Sequence, residues 1–308
     1  MPSSRVESES PATYTAFAGC ALIWGSTFLF ISIGNDTVPP LWAAALRLAV
    51  AAAILWLVGL LTRQPLPRGA ALRAAIGYGV FQFGGNLSLL YWGETVVPSG
   101  LAAVIFATVP LSTALIGRAF GLERLSRGKV GAALIAMAGV AIMFSGERAS
   151  TRWLPTLAIL IATWLACVGV FILKRGPRQA AIGANAVGSV VGFVVCLLLS
   201  WLLGEPHALP SGAAAIVPIL YLAVAGSVGA FVIYTWLINR WPVSRASYIA
   251  VVIPIVAVAL GVLVRGERLH AASVIGSVVV LLGVIAGLRA APAAAPGRGV
   301  RSQPKSQQ

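Results

Sequence analysis

The chain has 308 residues, of which 59% are hydrophobic and only 10% are charged, and its mean hydropathy is +0.93. A soluble domain carries about a quarter charged residues, so this composition excludes an ordinary soluble fold and predicts an all-α polytopic membrane protein. The net charge of +14 is placed between apolar runs, which favours a role in membrane orientation over nucleic-acid binding.

The apolar runs predict ten transmembrane helices, because a span needs about 20 mainly apolar residues. Such runs lie at 14–34, 41–61, 72–92, 99–120, 127–145, 154–173, 182–203, 213–238, 243–264 and 271–289. The polar N-terminus lacks a basic n-region, so no cleaved signal peptide is expected. Residues 1–13 and the basic residues 290–308 lack apolar periodicity and are expected to be disordered tails.

The sequence contains an internal duplication. The stretch 103–125 is apolar, is interrupted by Pro110 and ends in Glu123-Arg124-Leu125; the same pattern recurs 144 residues later around Pro254. The same offset pairs Pro98 with Pro242, Trp92 with Trp236 and Gly139 with Gly283. Residues 14–145 and 154–289 are therefore predicted to form two five-helix repeats, a pattern typical of transporters.

The basic residues predict how the bundle lies in the membrane. With the N-terminus in the cytoplasm, 17 of the 22 Lys and Arg residues fall in cytoplasmic segments. The remaining five are Arg47 within a span and Arg148, Arg152, Arg265 and Arg268 on the outer side. Both termini are therefore predicted to be cytoplasmic. Because five is an odd number, the second repeat must be inverted relative to the first, and the solute site is expected near the midplane between them.

Pro110 and Pro254 are candidate gate residues. Proline removes a backbone donor and clashes with the preceding turn, so each is expected to kink its helix and free carbonyl groups. A neighbouring helix, a water or a solute can satisfy those carbonyls in lipid. The alternative is a kink that serves packing alone.

Three polar residues, Tyr78, Gln82 and Asn86, are spaced four residues apart and are expected to share one face of the third helix. Uncharged amides at this depth suit hydrogen bonding to a zwitterion or an amide. The alternative is a set of hydrogen bonds between neighbouring helices. The 144-residue offset places Gly226 and Ala230 opposite the two amides, so polar recognition is expected to be one-sided.

Arg47 is the basic residue well inside a predicted span, about 10 Å from the outer surface at 1.5 Å per residue. A buried charge in a membrane is a functional candidate, and Arg47 is a candidate for binding a solute carboxylate. The alternatives are an ion pair with Asp36 or Glu94, or snorkelling to the headgroups. Trp24 and Trp164, in the matching first helices of the two halves, are candidates for an aromatic pocket wall that favours apolar, aromatic or cationic solutes.

The sequence predicts neither a metal site nor a cofactor. Its two histidines stand alone, and its three cysteines lie in apolar runs where they suit packing. Central parts of the predicted helices hold no Asp or Glu, so proton coupling would use Glu94, or the protein is a facilitator. Glu123 and Glu267 are flanked by arginines and are expected to form structural ion pairs.

Several of these features resemble the EamA-type transporters of the drug/metabolite transporter superfamily. They are the segment Trp24-Gly25-Ser26-Thr27-Phe28, the pair Arg47-Leu48 in an Ala-rich helix, and in each half the proline-centred helix followed by Glu-Arg-Leu. The sixth helix departs from the pattern, with Leu165-Ala166 after Trp164. The resemblance covers nearly the whole chain and implies a ten-helix transporter that exports amino acids, amines or related metabolites.

The expected function is export of a small organic metabolite across the inner or plasma membrane by alternating access, with the solute and the lipid bilayer as partners. One alternative is an efflux facilitator for drugs or toxic compounds. A passive channel would favour a continuous polar lining. A membrane-embedded enzyme would need a metal cluster, a Gly-x-Ser-x-Gly element or paired intramembrane carboxylates, none of which the sequence contains.

Overall fold

The computed structural model describes residues 10–119, 153–267 and 271–289, together with separate positions between 128 and 142. The regular elements in this described part are helices. In the first half they are α1 (Pro11–Asn35), α2 (Pro40–Leu61), α3 (Ala70–Tyr78), π1 (Gly79–Gly85), α4 (Asn86–Gly93), α5 (Ser99–Phe106) and α6 (Val109–Ala119). In the second half they are α7 (Trp153–Arg175), α8 (Ala181–Leu202), α9 (Ala213–Tyr221), π2 (Leu222–Gly229), α10 (Ala230–Ile238), α11 (Val243–Ala246), α12 (Ile249–Arg265) and α13 (Ala271–Arg289).

Residues 120–152 are described only in part. Elsewhere, the ends of each predicted apolar run agree to within three residues with those of one helix or of consecutive helical segments. The largest difference is the start of α1, which begins at Pro11 because a proline at the first helical position costs no hydrogen bond. Seven described segments are long and apolar enough to cross a membrane. The expected tails at 1–9 and 290–308, and Glu123, lie outside the described residues.

Two π-helical segments interrupt matching helices of the two halves. The elements α3, π1 and α4 form one continuous rod, and α9, π2 and α10 form another. The segments π1 and π2 end at Gly85 and Gly229, which are separated by the 144-residue offset of the duplication. Glycine permits close packing here, because a Cβ on Gly79 would lie 2.8 Å from the carbonyl oxygen of Gly188 in α8. Segments of this kind occur frequently at functional sites.

Contacts at the two ends of the bundle show that the first helices of the two halves run in opposite directions. At the end where α1 finishes, which we call the Asp36 end, Asp36 pairs with Arg265 at the end of α12. Gly93 at the end of α4 packs there against Pro155 at the start of α7. At the opposite end, which we call the Tyr14 end, Arg245 donates to Tyr14 near the start of α1.

The last helices of the two halves cross at small residues. A Cβ on Gly139 would lie 2.6 Å from the backbone nitrogen of Val280, and a Cβ on Gly283 would lie 2.6 Å from that of Ala136. Ala136 and Val280 are themselves separated by 144 residues, so the crossing is symmetric between the halves. The close approach explains why the duplication places a glycine at both positions.

Candidate functional site

A cavity lies between the two halves of the bundle. Its lining comes from α1, α2, π1, α4, α5 and α6 of the first half and from α7, α10, α11 and α12 of the second. The wall is mainly apolar and aromatic, with a small set of polar side chains: Thr27, Arg47, Gln82, Asn86, Thr113 and Ser247. An apolar cavity with a few convergent polar groups is the usual form of a small-molecule site.

Aromatic rings from both halves form one side of the cavity. The ring of Trp24 lies 5.1 Å from that of Phe231 and 5.0 Å from that of Tyr234, measured between centroids. On the same helix as Trp24, Phe28 packs edge-on against Phe106 at 5.4 Å. We call these five residues the aromatic wall. The wall can cover an apolar or aromatic side chain, or face a cation.

Trp164, which the sequence predicted as the partner of Trp24 in the pocket, lies elsewhere. Its side chain is 40% exposed on the outside of α7 and is absent from the described lining of the cavity. The second half instead contributes Phe231 and Tyr234 from α10. The two halves therefore supply their aromatic residues from different helices.

Arg47 is the cationic group in the described lining, and only 2% of it is exposed. Its Nε donates to Ser227 Oγ at 2.8 Å, and its Nη1 donates to Tyr91 Oη at 3.4 Å. The guanidinium fits against π2 because residue 226 is glycine: a Cβ there would lie 3.1 Å from Nη2. Two neutral partners hold the side chain in place, but they do not neutralise its charge.

The structure shows neither an ion pair of Arg47 with a described carboxylate nor an Arg47 side chain that reaches the surface. Asp36 pairs with Arg265, and no carboxylate in the described part of the chain forms an ion pair with Arg47. The deep burial of Arg47 is also unlike a side chain that snorkels to the surface. A guanidinium keeps its charge at any physiological pH and offers a planar set of donors that fits a carboxylate. Arg47 is therefore a positive group in the cavity wall with no protein counter-ion among the described residues.

Gln82 and Asn86 lie together in the cavity wall, as the sequence predicted. Asn86 Nδ2 donates to the backbone carbonyl of Gln82 at 3.0 Å. The side-chain oxygens Gln82 Oε1 and Asn86 Oδ1 are buried and accept no hydrogen bond from the described residues. Leaving a buried acceptor unpaired costs about 1–3 kcal/mol, so both oxygens favour a donor supplied by a bound molecule.

Tyr78 is separated from these two amides although it has the same spacing. It is fully buried outside the described cavity lining, and its hydroxyl lies 3.5 Å from Asn185 Oδ1 of α8. The segment π1 begins directly after Tyr78, and its wider turns bond residue i to i+5, so a spacing of four residues does not define a common α-helical face here. Its contact with α8 is the interhelical hydrogen bond considered as the alternative for this stripe.

The two proline-containing helices border the cavity without placing either proline in its described lining. Pro110 is buried near the start of α6, directly after the break at residues 107–108 that separates α6 from α5. Pro254 lies inside α12, whereas the break at residues 247–248 precedes it by six positions. Cavity-lining residues flank both breaks: Phe106 and Val109 at the first, and Ala246 and Ile249 at the second. A gating role for the two prolines stays a prediction.

At the Asp36 end, two glutamates from the second half hold helix starts of the first half. Glu267 accepts from the backbone nitrogen and hydroxyl of Ser99 and from the nitrogen of Gly100, at 3.1, 2.6 and 3.2 Å. Glu205 accepts from the backbone nitrogens of Leu41 and Trp42, at 3.2 and 2.8 Å. Carboxylates at helix N-termini satisfy free donors and oppose the helix dipole. The Glu267 of the repeated Glu-Arg-Leu motif therefore joins the end of α12 to the start of α5.

Sequence reasoning missed Ser227, Gly226 and the placement of Phe231. The duplication offset pointed near the first two, since it aligns Gly226 with Gln82. The offset suggested only that position 226 lacks a polar side chain, because a sequence does not show which distant residue packs against a glycine. Their contribution is to position Arg47, a contact between residues 180 positions apart.

The comparisons with known proteins agree with the internal duplication. A family model described as the EamA-like transporter family matches residues 12–145 and again residues 153–288. The "Uncharacterized inner membrane transporter YedA" of Escherichia coli K12 is 34% identical over 251 residues, covering 80% of this chain and 81% of that protein. A Salmonella typhimurium protein named "Probable amino-acid metabolite efflux pump" is 27% identical, covering 85% of this chain and 90% of its own length.

A solved crystal structure shows that this arrangement of helices also occurs in an experimental structure. It is 20% identical in sequence and superposes with a TM-score of 0.62, covering 90% of this chain and 96% of the other. At that identity the likeness concerns the fold alone.

Proposed function

The chain belongs to the EamA-like transporter family, and we propose that it exports small zwitterionic metabolites, foremost amino acids with apolar or aromatic side chains, by alternating access. Its relatives are inner-membrane transporters, and this chain is likewise a membrane transporter. The names of related proteins as amino-acid metabolite efflux pumps support the solute class and the outward direction.

The observation that carries the proposal is the charge of Arg47 in the cavity wall. A zwitterion supplies what the described residues lack, since its carboxylate neutralises the guanidinium and its ammonium donates to Gln82 Oε1 and Asn86 Oδ1. The aromatic wall then receives the side chain of the solute. An amino acid matches all three features, whereas a simple amine leaves Arg47 without a counter-ion.

The proposed architecture is a set of ten transmembrane helices in two inverted five-helix repeats, in the inner or plasma membrane, with both termini in the cytoplasm. The opposite directions of α1 and α7 support the inversion. The positions of the basic residues support the orientation, which would place the Asp36 end outside. Pro110 and Pro254 would act at the breaks beside the cavity, where α6 and α12 can bend relative to α5 and α11 during the exchange of access.

A facilitator for hydrophobic toxic compounds is the second candidate, and the aromatic wall favours it. Such a solute needs apolar surface without a carboxylate, so the two candidates differ in their dependence on Arg47. Neither the family nor the relatives suggest catalysis, and we propose no enzymatic activity.

The test is efflux from proteoliposomes loaded with labelled phenylalanine or with phenethylamine, which lacks the carboxylate. We expect Arg47→Gln to slow phenylalanine efflux by at least about tenfold, the loss of one charge-assisted hydrogen bond, and to affect phenethylamine far less. Trp201→Leu is the control, since Trp201 is 70% exposed and distant from the cavity lining. Equal loss of both solutes in a monodisperse Arg47→Gln protein would refute recognition of the carboxylate and favour the facilitator.

A further inference from the structure

A second cavity lies at the Asp36 end of the bundle. Its described lining includes Asn35, Asp36, Glu94, Arg265 and Glu267. Two of its acidic groups are already engaged, because Asp36 pairs with Arg265 and Glu267 holds the start of α5. Glu94, which follows α4, has no hydrogen-bonding partner among the described residues.

The oxygen atoms of Glu94 and Asn35 form a group of acceptors without donors. Glu94 is only 5% exposed, and neither of its carboxyl oxygens accepts a hydrogen bond from the described residues. Asn35 uses its amide nitrogen to donate to the backbone carbonyl of Tyr91 at 2.9 Å, which leaves Asn35 Oδ1 buried and unpaired. Three buried oxygens that accept no hydrogen bond from the described residues fit a cation or a proton, each of which supplies what an acceptor-only group needs.

Burial, together with the charges around Glu94, favours the neutral form of its carboxyl group. Burial and the carboxylate of Glu267 raise the pKa of Glu94 well above its usual value, and the charge of Arg47 opposes the shift. Asp36 and Arg265 face the same cavity as a neutralised pair. On the side of α7, the end of α4 meets Pro155 and Ile159, which carry no charge.

We propose that Glu94 and Asn35 form a binding site for a primary ammonium group, occupied alternately by a proton on Glu94 and by the ammonium of the solute. The inference rests on the proposed transport of amino-acid-like solutes. When the ammonium binds, the carboxylic acid of Glu94 loses its proton to water in the cavity, and the carboxylate becomes the counter-ion. When a proton returns from the Asp36 end, Glu94 becomes neutral and the ammonium is released.

This exchange gives export a driving force with the correct sign. If the Asp36 end faces outside, an acidic exterior supplies the proton that displaces the solute there. The proton and the ammonium compete for one carboxylate, so they cross the membrane in opposite directions. Arg47 lines the cavity between the two halves, and its charge acts on Glu94, which lines the second cavity. A zwitterion that leaves the cavity between the halves toward the Asp36 end can therefore pass its ammonium from Gln82 and Asn86 to Glu94.

The first experiment measures proton release when phenethylamine or phenylalanine is added to the purified protein in weakly buffered detergent solution. We expect wild type to release a proton on binding and its apparent Kd to rise about tenfold for each pH unit below the pKa of Glu94. Glu94→Gln keeps the size and the neutral state of the side chain, so it should fold while losing proton release and pH dependence. Glu205→Gln should behave like wild type, because it changes an equivalent glutamate at another helix start.

The second experiment separates this proposal from the proposed function. An infrared carbonyl band of a protonated carboxylic acid should be present in wild type and absent in Glu94→Gln, whatever solute the protein carries. Phenylalanine efflux with no proton release and no difference between wild type and Glu94→Gln would overturn the exchange site while leaving the transport proposal intact. Proton release with amines but no efflux of carboxylated solutes would support the exchange site and overturn the proposed solute class.

Discussion

The bond between Glu267 and the start of α5 offers a test of how the two halves are held together at the Asp36 end. Its carboxylate accepts three hydrogen bonds from Ser99 and Gly100 and lies beside Gly261 of α12, where a Cβ would be 2.5 Å from Oε2. The same contact can therefore be disturbed from both sides. One change removes the acceptor, and the other displaces it.

The structure sets the size of each effect. Glu267→Gln can keep the two bonds to Ser99 but turns an amide nitrogen toward the Gly100 N–H, so it should lower the free energy of unfolding by about 2 kcal/mol, one charge-assisted hydrogen bond. Glu267→Ala removes all three bonds, and because water can replace part of them at this half-buried site, we expect a loss of about 2–4 kcal/mol. Gly261→Ala should cost about 1–3 kcal/mol, since the added methyl group must push the carboxylate away.

The decisive measurement is the double variant. Once Glu267 is alanine, the methyl group of Gly261→Ala no longer meets the carboxylate, and alanine is favoured over glycine in a helix by up to about 1 kcal/mol. The second substitution should therefore become neutral or stabilising, a strong departure from additivity. Free energies of unfolding from thermal or SDS titrations monitored by tryptophan fluorescence provide the values. Gly19→Ala in α1 is the control, because a Cβ there meets nothing within 4 Å. Additive losses in the double variant would refute this account of the contact.

Four other predictions follow from the sites. Ser227→Ala leaves Arg47 Nε unpaired, so we expect KM for phenylalanine to rise by about tenfold or more, a loss of about 1.5–3 kcal/mol; Ser189→Ala, which removes a buried hydroxyl without a partner among the described residues, should leave KM unchanged. Gln82→Ala should lower transport more than the amount of folded protein in the membrane, and equal losses of both would indicate a packing role. Pro110→Ala should slow exchange while preserving solute binding, and unchanged transport in the inserted protein would count against a gate. The pKa of Glu94 is raised in the folded state, so its contribution to stability should fall as the pH rises above the pKa of Glu94 in the unfolded chain. The melting temperature of wild type should therefore decrease toward alkaline pH more than that of Glu94→Gln. Parallel pH profiles of the two proteins would show that Glu94 is not neutral in the folded protein.

The sequence was a good guide to the helices because transfer from water to lipid depends mainly on local composition. Runs of apolar residues predicted the helix bounds in the described ranges to within three residues. The offset of 144 residues also carried structural meaning, since Pro98 and Pro242 each directly precede a helix and Gly139 and Gly283 meet the same symmetric crossing. These features repeat because the two halves start helices at the same positions and contribute equivalent glycines to one close helix crossing.

The sequence was a weaker guide to the direction of individual side chains. Tyr78, Gln82 and Asn86 have the spacing of one α-helical face, yet the segment between them is π-helical and only Gln82 and Asn86 line the cavity. Trp24 and Trp164 occupy matching helices, yet only Trp24 faces the cavity. Helix rotation depends on contacts between distant segments, and a single wide turn changes it without altering the hydropathy of the run.

The sequence by itself therefore determined the class of protein, the duplication and the presence of one arginine inside a span, because composition and spacing are local properties. Tertiary structure alone decided that Arg47 is held by Ser227 and Tyr91 instead of a carboxylate, and that Glu267 holds the start of α5. It also decided that the oxygens of Glu94 and Asn35 face one cavity without donors. Each of these contacts joins residues far apart in the chain, and their energies depend on burial and distance, which only the packed bundle sets.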